Sequence, residues 1–97
     1  MQYGTVAHMR ALPGKEAEIN ELLSAEHRRP KGFVAQYVYQ SVIEPRDFIM
    51  TIVFEDYDSY HDNSHDPEVG ANFQKLRALL EDDPKWYDGN IIHSVTV

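Results

Sequence analysis

The stretch FVAQYVYQSVIEPRDFIMTIVFE, Phe33 to Glu55, constrains this chain more than any other. Two runs rich in β-branched and aromatic residues, Phe33–Val42 and Phe48–Glu55, flank the short polar link EPRD, the pattern of a β-hairpin. Side chains alternate across a strand, so a sheet with one wet face reads apolar, polar, apolar. Here both parities are apolar. Phe33, Ala35, Tyr37 and Tyr39 oppose Val34, Val38 and Val42; Phe48, Met50, Ile52 and Phe54 oppose Ile49, Thr51 and Val53. Helices of the same chain can cover one face. The other needs a separate cover, because apolar patches of that size are rare on soluble monomers. A second copy is the simplest cover, so the pattern predicts a homodimer whose sheets meet face to face in a barrel-like assembly.

The rest of the chain supplies the other elements. Gln2–Leu12 alternates as a first strand, with Val6, His8 and Arg10 on one side and Tyr3, Thr5, Ala7 and Met9 on the other, until Pro13 and Gly14 stop it. Ile19, Leu22 and Leu23 recur at helical spacing within Lys15–Arg29, ahead of Pro30 and Gly32. Asp56 or Asp58 can cap a short helix through Tyr60 and His61. Asp66-Pro67 is a cap and first turn for a second one carrying Val69, Phe73, Leu76 and Leu80. Asp83, Pro84 and Gly89 then bracket an aromatic turn, and NIIHSVTV reads as the last strand. The order strand, helix, strand, strand, helix, strand predicts an α+β, ferredoxin-like split βαβ fold: a four-stranded antiparallel sheet with helices on one face.

Ninety-seven residues, 42% hydrophobic and 26% charged, suit a single domain over 1–97. The formal charge of -7 repels nucleic acid and anionic lipid, and the short basic run HRRPK reads as solvated helix end. The absence of cysteine excludes disulfides, thiolate nucleophiles and thiolate metal sites. MQYGTVAHMR has no charged leader followed by an apolar run, and no segment approaches the roughly 20 apolar residues of a membrane span, so a cytoplasmic protein is expected.

Candidate chemistry is sparse. His61 and His65 lie four apart in SYHDNSHDPEVGANF, but without a glutamate between them or a third ligand at fixed spacing they read first as a helix joint and second as a pocket wall. His8 and His93, on the first and last strands, are candidate cross-strand neighbours able to move protons near neutral pH, or else histidines packed in the sheet. Tyr37 and Tyr39 share a parity and either orient a phenolic ligand or fill core or interface. Asn72, beside the apolar stripe of the second helix, either faces a cleft or solvent. Trp86 and Tyr87 close a pocket mouth or cover a helix end. No phosphate loop, dinucleotide glycine pattern or Ser/His/Asp arrangement is present, so any ligand is held by a shaped apolar cleft with a few polar contacts.

Taken together, VAHMRALPGKEAEINELL, FVAQYVYQSV, FIMTIVFEDYDSYHDNSHDPEVGANFQKLRALL and WYDGNI resemble the antibiotic biosynthesis monooxygenase-like family of dimeric α+β barrels over nearly the whole length. The resemblance implies a cofactor-independent monooxygenase acting on a hydroxylated aromatic or quinol-like small molecule, with no metal or bound cofactor. It also implies a cleft between sheet and helices lined by Tyr37, His61, Asn72 and Trp86. On that reading His61 or His93 takes a proton from the substrate, while Asn72 with Tyr37 holds the resulting oxyanion. Haem-degrading relatives carry asparagine, tryptophan and histidine where this chain has His8 or a neighbour, Tyr60 or His61, and Asn72, so haem breakdown is not expected. A non-enzymatic small-ligand-binding or accessory role is the alternative.

Overall fold

The computed structural model describes residues 1–25 and 29–97. His27 and Arg28 of the basic run HRRPK therefore lie outside the described residues. Strand β1 (Tyr3–Arg10) leads to helix α1 (Glu16–Ser24), the hairpin β2 (Phe33–Gln40) and β3 (Asp47–Phe54), helices α2 (Tyr57–Ser64) and α3 (Pro67–Arg77), and strand β4 (Lys85–Asn90). The four strands form one antiparallel sheet in the order β2-β3-β1-β4, with the helices on one face. This is the ferredoxin-like α+β arrangement.

Both caps expected after β3 form. The Asp56 side chain accepts from the Ser59 N–H at 2.8 Å and starts α2; the Asp66 side chain accepts from the Glu68 N–H at 2.8 Å and starts α3, with Pro67 in its first turn. Each satisfies an amide that the helix itself leaves unpaired. The joint between the two helices is therefore a stop and restart. The core lies between sheet and helices, where Ala7, Met9, Phe48 and Met50 meet Ile19 of α1, Leu76 of α3 and Leu80 just beyond it.

Two elements depart from the sequence expectation. The last strand is Lys85–Asn90, not NIIHSVTV: Trp86 sits opposite Ala7, Tyr87 opposite Val6 and Asp88 opposite Thr5. The residues expected to make a turn make the strand, because β1 offers them a partner. NIIHSVTV has stronger β-forming residues, but among the described residues the backbone bond to the sheet past Asn90 is that of Ile91, its N–H donating to the Gln2 carbonyl at 2.8 Å. His8 therefore sits opposite Ile49 and Lys85, and the expected His8–His93 pairing does not form.

The second departure is a β-bulge between Phe33 and Ala35, which oppose successive β3 residues Phe54 and Val53. The extra residue inverts the facing of the rest of β2. Phe33 joins the helix side, its ring edge-on to Phe54 at 5.9 Å, whereas Ala35, Tyr37 and Tyr39 share the reverse face with Val53, Thr51 and Ile49. Val38, opposite Met50, turns toward the helices. Simple alternation places Phe33 with Tyr37 and Tyr39; the bulge separates them.

Candidate functional site

Between the helix side of the sheet and the three helices lies an open cleft of about 450 Å³. Its floor comes from Phe33 and Gln36 of β2 and Met50, Ile52 and Phe54 of β3; Leu22 and Leu23 of α1 close one side. Val69, Asn72, Phe73 and Leu76 of α3 form the opposite wall, and Trp86 stands 6.2 Å from the Phe73 ring. The volume and apolar lining fall within the range of small-molecule sites.

Three side-chain amides interrupt this lining: Gln36, Asn63 and Asn72. Gln36 Nε2 donates to the soft Met50 sulfur at 3.7 Å, a weak acceptor that a ligand oxygen can outcompete. Asn63 carries the buried side-chain oxygen that, among the described residues, has no hydrogen-bond partner. Burying a carbonyl without a donor costs about 1–3 kcal/mol, so a donor entering the cleft recovers that loss. Among the described residues, Glu68 and Lys75 of α3 are the titratable groups in the lining.

Helix α2 owes its seat to aromatic packing. The Tyr3 ring stands 5.1 Å from Tyr57 and 5.0 Å from Tyr60, and Phe54 meets Tyr60 at 5.9 Å. Thr5 Oγ1 donates to Asp88 Oδ1 at 2.5 Å and Tyr60 Oη donates to the same oxygen at 3.4 Å, which ties β1, β4 and α2 together. Burial, reinforced by the Asp88 charge, pushes the Tyr60 phenol above its ordinary pKa and keeps it a donor. Asn63 follows Tyr60 by three residues and so shares its sheet-facing side of the helix. Gly32, at φ 81°, lets the chain pass against Ser59, where any Cβ would collide.

The residues singled out from sequence separate. Asn72 and Trp86 line the cleft. Tyr37 lies on the reverse face of the sheet, 61% exposed, because of the bulge. His61 is on the outer side of α2, its ring stacked on His65 at 4.2 Å, while His65 Nδ1–H donates to the His61 carbonyl at 2.9 Å. That pair serves the helix end, and neither ring lines the cleft. His93 is exposed in the segment after β4. The four residues expected to work together thus leave only Asn72 in the cleft. Sequence reasoning misses Gln36 and Asn63; the three-residue step from Tyr60 to Asn63 is the available signal. Among the described residues no group of three or more His, Asp or Glu is placed to hold a metal ion, and no helix is long and apolar enough to cross a membrane.

The chain shares its fold with antibiotic biosynthesis monooxygenase-like structures. SnoaB from Streptomyces nogalater, a cofactor-independent oxygenase, superimposes with a TM-score of 0.83 at 18% identity, over 97% of this chain and 96% of its own. A candidate antibiotic biosynthesis monooxygenase from Chloroflexus aurantiacus J-10-fl gives 0.84 at 20% identity, over 99% and 98% of the two chains. Rv0793 from Mycobacterium tuberculosis gives 0.85 at 12%, over 99% and 100%. No family model and no curated protein matches the chain.

Proposed function

We propose that the cleft binds a hydroxylated aromatic or quinol-like molecule and that the protein oxidises it with dioxygen, without flavin, haem or metal. The observation that carries the reading is the apolar cleft broken by three amides, with the buried Asn63 oxygen lacking a donor. A phenolic hydroxyl is such a donor, and the rings behind it match the Phe33, Phe73 and Trp86 surfaces. Once the substrate loses its proton, the amide N–H groups of Gln36 and Asn72 stabilise the oxyanion in surroundings drier than water, where such dipoles act most strongly. Glu68 is the carboxylate in the lining and the candidate acceptor of that proton.

For an anthrone the balance closes without a cofactor. The carbanion passes one electron to dioxygen, the two radicals combine as a peroxide at the same carbon, and loss of water leaves a quinone carbonyl. One oxygen atom enters the product and the other leaves as water. The likeness of fold to SnoaB supports this reading. An oxygen electrode with a panel of anthrones and quinols tests it: one dioxygen consumed per substrate and one ¹⁸O atom in the product are expected, and no uptake with any bound member of the panel contradicts it.

A second reading has its own support. Among the described residues no imidazole lines the cleft, since His61 and His93 both lie away from it, as expected of a protein that retains a ligand without turnover. Quenching of Trp86 fluorescence with no oxygen uptake selects this reading.

The working unit in either case is a homodimer. Val6, Tyr37, Tyr39, Ile49 and Tyr87 stand on the reverse face of the sheet, between 37% and 63% exposed in the single chain, and a second sheet packed there removes them from water.

A further inference from the structure

We propose that Met50 is an oxygen acceptor built into the cleft floor: an aromatic hydroperoxide bound there passes its terminal oxygen to the Met50 sulfur, and the resulting sulfoxide turns the cleft against apolar rings. The inference rests on the cleft taking an aromatic molecule, as proposed above, but not on the protein itself making the peroxide.

The chain has three methionines, and the fold gives each a different fate. Met1 is 78% exposed. Met9 is 2% exposed and packs in the core, outside the cleft lining. Met50 is 6% exposed, yet it lines the cleft. Strand parity puts it there: it lies opposite Ala7 of β1 and Val38 of β2, on the same face of β3 as Phe48, Ile52 and Phe54. Those neighbours are hydrocarbons, which offer a hydroperoxide nothing to oxidise. A thioether offers a polarisable lone pair. A reagent in bulk water therefore meets Met1 first, whereas a molecule seated in the cleft meets Met50.

Gln36 sharpens this placement. Its Nε2 donates to the Met50 sulfur at 3.7 Å, and the same nitrogen carries a second N–H. A ligand oxygen that takes the donor from this weak acceptor sits beside the sulfur whose lone pair it has just released. The step then balances without a cofactor. The lone pair attacks the terminal peroxide oxygen, the S–O bond forms and the O–O bond breaks. Sulfur is oxidised by two electrons and the peroxide is reduced by two. The hydroperoxide proton moves to the departing oxygen, which leaves as an alcohol. The Gln36 N–H steadies the negative charge gathering on that oxygen before the proton arrives. It also suits the product, since a sulfoxide oxygen accepts more strongly than a thioether. Oxidation makes the side chain polar, and methionine sulfoxide reductases reverse it.

Peptide mass spectrometry of the wild-type chain treated with cumene hydroperoxide, which carries a ring, or tert-butyl hydroperoxide, which carries none, decides the matter. Met1 in the same sample corrects for the intrinsic strength of each reagent. The Met50-to-Met1 rate ratio is expected to be about 10-fold or more higher with cumene hydroperoxide, because binding holds the reacting atoms together. Gln36→Leu lowers that ratio by about 10-fold, the effect of one hydrogen bond on the transition state. Cumene hydroperoxide treatment then weakens 1-naphthol binding, read by Trp86 quenching, by about 10-fold in the wild type and leaves Met50→Leu at its untreated affinity. An equal ratio for the two hydroperoxides overturns the inference. If 1-naphthol still quenches Trp86 in that case, the aromatic cleft stands and the role of Met50 falls; if it does not, both fall. Unchanged 1-naphthol affinity after complete oxidation of Met50 also overturns it. The comparison of hydroperoxides uses the wild-type chain alone, so it decides even where a substituted chain does not fold.

Discussion

The two faces of this sheet are built from the same kinds of residue and have opposite fates. On the helix side, Met9, Phe48 and Phe54 are at most 2% exposed; on the reverse side, Ile49 and Tyr37, from the same hairpin, are 40% and 61% exposed. Composition does not separate the faces. What separates them is that α1 and α3 lie over one, and among the described residues nothing of the chain lies over the other. The difference teaches that apolar parity reports how much surface needs covering, not who covers it.

The largest expected effect comes from the covered side. Phe54→Ala removes a fully buried ring that touches both Phe33 and Tyr60, and it should cost ~3–5 kcal/mol, read as a fall in the urea midpoint. A cost under about 1 kcal/mol would mean that the helix side is loosely packed. Ile49→Lys on the reverse side should leave the secondary structure of the chain intact and abolish the dimer, since a charge buried between two sheets lacks a partner. If thermal unfolding of the two variants falls equally, the faces do not differ as described.

Within the helix side, the cleft gives a finer contrast. Asn63→Ala should change stability by under about 1 kcal/mol, because the lost oxygen was already unsatisfied, yet weaken ligand binding by about 10-fold or more. Trp86 quenching measures the affinity and denaturation the stability; equal loss in both would make Asn63 a structural residue. The smallest effect lies at the rim. Arg10 Nε donates to Asp47 Oδ1 at 2.7 Å across β1 and β3, and this hydrogen bond holds the Asp47 carboxyl below the usual carboxylate range. A lowered folded pKa favours the charged form, so the contribution is present above the ordinary value near about 4 and is lost as pH falls through the lowered one. Asp47→Asn should therefore flatten the acid limb of a stability-against-pH curve by slightly lowering its neutral end, with little change below the lowered pKa.

Much of this fold is legible in the sequence. Alternation in Tyr3–Arg10 and Phe48–Phe54, helical spacing at Ile19, and the Asp66-Pro67 start each depend on neighbours close in the chain, and each forms as expected. The misses share a cause. Lys85–Asn90 is a strand because β1 lies beside it, and Ile92–Val97 has no strand beside it in its own chain; such pairing is a long-range fact that β-propensity does not contain. The bulge at Phe33/Ala35 is one extra residue with no glycine to mark it, and it carries Tyr37 out of the expected cleft. Histidine chemistry draws attention to the outer side of α2, whereas the side that Tyr60 anchors delivers Asn63 to the site.

The proposed dimer depends on the reverse face of the sheet being an interface. Light scattering of the wild-type chain at micromolar concentration tests it most directly. The prediction is twice the mass of one chain, falling to a single chain in Ile49→Lys. A wild-type mass of one chain, with Tyr37 and Tyr87 open to solvent quenchers, would contradict it.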